Sequence, residues 1–315
     1  MDQNRRHFIK QFGIAAAGAG LLHNLSAMAT GIDGSKKHFF EISLAEWSLH
    51  RTLESGKMTN MDFPTRAKKE FQISAVEYVD QFFKDKAKNQ KYLSELKQRT
   101  SDLGVRNVLI MIDTAGPLAE LNEAERKQAV ENHYQWVDAA KFLECHSIRV
   151  NLRGKGTADE AGRASIESLG RLSEYGAKNE IGIIVENHGG YSSDIKWLTN
   201  IIRQVNNPYC GTLPDFGNFC IEQTDKKCIN EYDRYLGVQE MLPYAKGISA
   251  KSLDFDEKGD ETKIDFLRMF KMIKKEKPAS FKGFVGIEYS GSVLSEDEGI
   301  RKTKQLLEKV GQMIS

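Results

Sequence analysis

The sequence predicts an α/β fold, a (β/α)8 TIM barrel in a single domain, and three observations predict it. The chain has 315 residues, and one such barrel needs about 250. Eight short apolar runs recur along it, at 39–45, 74–80, 106–113, 146–153, 181–187, 210–216, 245–251 and 283–289. Amphipathic stretches with apolar residues three and four apart lie between them, as helices packed on a sheet require. Strands buried on both faces read as apolar runs, and alternation with helices makes the sheet parallel. An open doubly wound sheet also holds such units, but no G-x-G-x-x-G follows the first run. Eight even units favour closure.

The elements follow in order. Residues 1–29 stand apart: Arg5-Arg6, an apolar small-residue run from Gly13 to Leu22, then Ala27-Met28-Ala29. That order resembles a twin-arginine export signal, with cleavage near Thr30 and a periplasmic or otherwise extracytoplasmic protein as the expectation. The competing reading is a buried N-terminal helix. Residues 30–315 form the barrel domain. The stretch 87–103 carries Tyr92, Leu93, Leu96 and Leu103 on one side, with Lys and Glu opposite. Stretches 120–143 and 158–178 read similarly, and 295–314 opens on Ser295 with Glu298 three residues later, a capping box.

Composition narrows the function. Hydrophobic content of 40%, charged content of 28% and a net charge of +1 are ordinary for a globular protein and give no case for nucleic acid. No stretch after the first thirty residues has the roughly 18 apolar residues of a membrane span, so none is expected once the signal is cleaved. Cys145, Cys210, Cys220 and Cys228 form no C-x-x-C. Export permits a disulfide, Cys220 and Cys228 are close enough to form one, and Cys145 and Cys210 read as buried packing.

Chemistry in such a barrel sits at the carboxyl ends of the strands. The two-residue period of a strand turns Ile183, Val185 and Ile287 toward the helices, and Glu186, His188 and Glu288 inward. Asp215 shares a face with Leu213, Lys251 with Ser249, and Arg149 with Asn151 and Arg153; Glu77 sits similarly on the second strand. Buried charges must be paired or bind a metal. An ion-pair network among Glu186, Asp215, Glu288, Lys251 and Arg153 is the structural alternative, and clustering at successive strand ends favours a site.

The order and spacing of AVEYVDQF, IGIIVENHGG, TLPDFGNF and GISAKSLDFD resemble the xylose-isomerase-like family of sugar isomerases and epimerases, across essentially the whole mature chain. The resemblance implies one divalent metal held by a Glu after strand five, an Asp after strand six, a His after strand seven and a Glu after strand eight. Glu186, Asp215 and Glu288 match three of these. Ser249 stands at the His position, with the Lys of the H-x-K pattern retained as Lys251, and Asn218 replaces a second histidine that often follows the Asp. Imidazole binds Zn well and a serine hydroxyl binds poorly, so Mg or Mn is expected over Zn.

The resemblance further implies a sugar or sugar-derivative substrate and proton abstraction beside its carbonyl. Glu186 and Glu288 exchange the proton, and the metal, or Lys251 in its place, polarises the oxygens. His188, Glu77, Asn151, Arg153 and Asn218 bind hydroxyls, while Trp47 and Phe219 offer ring-stacking faces. A lyase that eliminates the aglycone of a keto-glycoside uses the same chemistry, and a non-catalytic sugar-binding barrel keeps only the recognition. A nuclease of the endonuclease-IV type needs histidines that this chain lacks. Barrels of this type often form homodimers, though no segment announces an interface. N-terminal sequencing of the protein recovered from an exporting host is expected to begin near Thr30; a retained Met1 sinks the export reading.

Overall fold

The computed structural model describes residues 38–276 and 281–315. The expected export signal, with Arg5-Arg6 and Ala27–Ala29, lies outside the described residues. The strands are β1 (Glu41–Ala45), β2 (Ala75–Val79), β3 (Arg106–Met111), β4 (Ser147–Val150), β5 (Gly182–Glu186), β6 (Cys210–Leu213), β7 (Cys220–Thr224), β8 (Lys227–Glu231), β9 (Ile248–Ser252) and β10 (Phe284–Tyr289). The helices are α1 (His50–Glu54), α2 (Phe63–Phe71), α3 (Gln90–Leu103), α4 (Glu123–Phe142), α5 (Ala158–Asn179), α6 (Ile195–Val205), α7 (Arg234–Met241), α8 (Phe266–Glu276) and α9 (Glu296–Ile314).

Eight strands form one sheet in the order β6-β5-β4-β3-β2-β1-β10-β9, and every pairing in it is parallel. Its two ends meet through bridges that pair Thr212 with Ala245 and Asp215 with Ser249. Ser249 N donates to Pro214 O at 2.9 Å and Phe216 N to Ser249 O at 3.2 Å. The sheet thus closes into a TIM barrel, as predicted.

The strand period divides the core as expected. Ile183, Val185 and Ile287 pack in the layer beneath the helices. Ile184 joins Val108, Leu109, Met111 and Leu213 inside the barrel. Val108 and Leu109 are consecutive yet both inward, because the register between β2 and β3 slips at Val76/Glu77 and leaves one β3 residue extra. The expected capping box at Ser295 and Glu298 opens α9. A second, formed by Thr157 and Glu160, opens α5 directly after the β4 loop that borders the site.

Several strands are shorter than their apolar runs. β4 ends at Val150, so Asn151 and Arg153 belong to the following loop. β6 ends at Leu213, because Pro214 has no N–H to continue a ladder. The β7–β8 hairpin is an insertion after β6 that hydrophobic periodicity misses, since both strands are largely exposed and polar. Its turn residues Asp225 and Lys226 have φ of 49° and 63°, the paired left-handed geometry of a tight hairpin. Cys145 and Cys210 are buried thiols, as expected, and a disulfide, which the sequence permits without requiring, joins Cys220 to Cys228 across the hairpin.

Leu172 of α5 is fully buried against the barrel and Ile229 of the hairpin is 60% exposed. Leu172→Ala is therefore expected to cost about 2–5 kcal/mol and Ile229→Ala within about 0.5 kcal/mol, read from urea midpoints. Equal effects would contradict this core assignment.

Candidate active site

Glu186 is the last residue of β5, Asp215 follows β6 by two residues, and Glu288 is the penultimate residue of β10. All three are buried, and each presents a carboxylate oxygen within 4.8 Å of the other two. Residues a hundred positions apart thus share one point, because parallel closure brings successive strand ends together.

Local hydrogen bonding fixes each group. Asn187 clips β5 to the β6 turn: its Oδ1 accepts from Asp215 N at 2.8 Å, and its Nδ2 donates to the Asp215 and Asn218 carbonyls at 3.0 Å. Asp215 Oδ1 accepts from the backbone of Gly217 and Asn218, both at 2.8 Å. Ser249 Oγ stands 2.8 Å from Asp215 Oδ2 and 3.2 Å from Glu288 Oε2, so the residue at the expected histidine position bridges two of the carboxylates. Lys251 Nζ donates to Glu288 Oε1 at 2.6 Å and lies 3.8 Å from Asp215 Oδ2. Arg149 completes the set from β4. Its Nε is 2.8 Å from Glu186 Oε2, and its Nη1 is 2.7 Å from Asp113 Oδ1. Asp80 holds the β3 end in place by accepting from the backbone of Asp113 and Thr114 at 2.9 and 3.0 Å.

Electrostatics follow from burial and charge count. Four acids (Glu186, Asp215, Glu288 and Asp113) face two ion-paired cations, Arg149 and Lys251. Burial lifts Glu186 to about 7 against the pull of Arg149, and lifts Asp215 to about 7 against Lys251. Burial would raise Glu288 too, but Lys251 beside it holds it below the ordinary carboxylate value. Burial also opposes ionisation of Asp113, yet Arg149 brings it to about 2. Lys251 is driven above the usual range for an amine by its acid neighbours despite burial. Full ionisation leaves two negative charges uncompensated, which a divalent cation would match.

A cavity of about 350 Å³ opens over these groups, lined by Trp47, Gln81, Asp113, Thr114, Arg149, Arg153, His188, Lys251 and Glu288. Burial, with Arg149 and Lys251 near, lowers His188 to about 4, so it is neutral at pH 7. Trp47 stacks on His50 with centroids 4.6 Å apart.

Four expected substrate contacts are not among the residues that line this cavity. Glu77 is 1% exposed and sits within the barrel, bonded to Ser43 Oγ at 2.6 Å; a side chain at Gly286 would collide with its carboxylate. Asn151 is buried and donates to Asp113 Oδ1 at 2.6 Å. Asn218 donates to Glu186 Oε1 at 3.0 Å, so it supports a carboxylate rather than facing the cavity. Phe219 is fully buried beside Gly237 and offers no stacking face. Sequence reasoning also missed Asp113, Thr114 and Gln81. Asp113 carried the same signal as Asp215, an acid just past an apolar strand, but on a strand outside the expected ligand set.

A profile of the xylose isomerase-like TIM barrel family matches residues 66–310. The chain belongs to this family. No curated protein matches the sequence. Solved structures share the fold. A D-tagatose 3-epimerase-like protein is 14% identical with a TM-score of 0.64, over 87% of this chain and 98% of its own. A xylose isomerase-like TIM barrel protein from Mycobacterium smegmatis in complex with magnesium is 13% identical with a TM-score of 0.65, over 89% and 100%. The 3-keto-D-glucoside 4-epimerase of E. coli is 12% identical with a TM-score of 0.60, over 86% and 99%. At these identities the likeness is one of fold.

Burial, with Glu288 and Glu186 nearby, raises Glu77 from 4.5 to about 8. The folded chain therefore keeps a proton that the unfolded chain releases near the ordinary value. The corresponding stability is fully present below about pH 4.5 and is lost as pH rises through about 8. Glu77→Gln, which mimics the protonated form, should leave stability at pH 5 little changed and flatten its decline toward pH 8, as read by thermal unfolding. An unchanged pH profile would show that Glu77 does not carry this linkage.

Proposed function

We propose that this protein is a sugar isomerase or epimerase that abstracts a proton beside a carbonyl, with a divalent metal held by Glu186, Asp215 and Glu288. The observation that carries the reading is the meeting of those three carboxylates under a polar cavity of about 350 Å³, with Glu288 in its wall.

The donors fit a hard cation. Three carboxylates and the Ser249 hydroxyl are all oxygen ligands, and Glu186 Oε2 lacks an aligned hydrogen bond although Arg149 is close. This chemistry favours Mg or Mn over Zn. A metal bound there would supply Lewis-acid polarisation of the substrate's carbonyl and adjacent hydroxyl oxygens.

The chain's own residues account for the proton. Lys251 keeps Glu288 ionised, the state a base needs. Glu288 takes the proton from the carbon next to the carbonyl, leaving an enediolate. Glu186, poised to titrate near neutrality, returns a proton to the carbon from its own position on β5, and the stereocentre inverts or the carbonyl moves. His188, neutral and in the wall, hydrogen-bonds a substrate hydroxyl, and Trp47 covers an apolar ring face.

A second reading keeps the deprotonation and changes the outcome. A 3-keto-D-glucoside as substrate has a leaving group placed for elimination once the neighbouring C–H is ionised, and the fold likeness to a 3-keto-D-glucoside epimerase favours testing it. Export fits either reading, and the Cys220–Cys228 disulfide on an exposed hairpin supports residence in an oxidising compartment.

Two measurements test the proposal. Elemental analysis of the wild type should find Mg or Mn, and Glu186→Gln should lose most of it. Keto and aldo sugars incubated in deuterated solvent should gain deuterium with the wild type and lose that exchange by a factor of at least about 100 with the variant. A metal content unaffected by Glu186→Gln, or no exchange with any sugar tested, would remove the assignment. Release of a free aglycone from a keto-glycoside would decide for the lyase.

A further inference from the structure

The cavity wall holds three permanent cations, and their partners differ. Lys251 is paired with Glu288 and Asp215. Arg149 is paired with Asp113 and Glu186. Arg153 has no acid within ion-pairing distance among the described residues; its one side-chain hydrogen bond is from Nη2 to His188 Nδ1 at 3.3 Å.

Arg153 is nonetheless held in place. Its carbonyl accepts from Ala119 N at 2.9 Å, and Gly154 is packed so closely on the Ala119 carbonyl that any side chain there would collide with it. On the far side of the same loop, Tyr191 Oη donates to Gly156 O at 2.9 Å. The neighbouring strand-end loops therefore fix the backbone beneath Arg153, and His188 orients its guanidinium.

We infer that the substrate is an acidic sugar whose carboxylate is bound by the Arg153 guanidinium at the mouth of the cavity. A planar fork matches a carboxylate with two parallel hydrogen bonds. A phosphate is normally met by a fan of backbone N–H groups or several cations, whereas the other two cavity cations are already paired with acids. This inference deepens the sugar reading above, since it names the class of sugar the site takes.

Isothermal titration of the full chain with D-glucuronate, D-glucose and D-glucose 6-phosphate tests it without requiring turnover. Glucuronate is expected to bind about tenfold or more tighter than glucose. Arg153→Gln should abolish that advantage, bringing glucuronate down to the affinity the same variant shows for glucose. Lys155→Met, a neighbouring exposed cation outside the cavity wall, should keep the advantage. Equal affinity for glucuronate and glucose, absence of glucuronate binding, a preference that survives Arg153→Gln, or tightest binding of the phosphate would each overturn the inference. A carboxylate preference without deuterium exchange would sink the enolisation reading alone; exchange without the preference would sink only this one.

Discussion

The barrel closes at the place where its chemistry is concentrated. β6 and β9 share only isolated bridges, and one of them joins Asp215 to Ser249. The Ser249 hydroxyl then ties Asp215 to Glu288 on the next strand. The seam of the sheet and the floor of the cavity are therefore one set of atoms. Burying like charges at such a seam is costly unless something compensates them. Arg149 and Lys251 supply that compensation from either side, and a seated cation would complete it.

This arrangement explains what the departures from the family pattern do. A serine in place of histidine gives up a nitrogen ligand but supplies a hydroxyl small enough to sit between two carboxylates. Asn218, at the place of a second histidine, spends its amide on Glu186. Both side chains hold the carboxylates in place by hydrogen bonds. Arg149 then carries positive charge into the site from β4, where Asp113 holds it.

Much of this was legible in the sequence for a physical reason. Buried parallel strands must be apolar on both faces, so their ends announce themselves when an acid follows, as at Glu186, Asp215 and Glu288. Parity alone placed Ile183 and Val185 outward. β4 stops at Val150, so Asn151 and Arg153 lie in the following loop, where Asn151 joins Arg149 on Asp113 and Arg153 reaches the cavity wall. Glu77 had the right parity but the wrong depth: its place opposite the β3 bulge lies within the barrel rather than at its rim. Nothing in hydrophobicity marks depth along a strand. The hairpin escaped notice because its strands bury no face, and its Asp-Lys turn lacks the glycine that usually advertises such a bend.

That hairpin has a consequence of its own. Its two strands pair with each other and not with the barrel sheet, a disulfide ties the start of β7 to Cys228 close to the turn, and its tip bends at residues that face water. The tip is consequently a natural place to graft a foreign peptide or an affinity tag: the addition would lie within the loop that the disulfide closes, outside the barrel sheet.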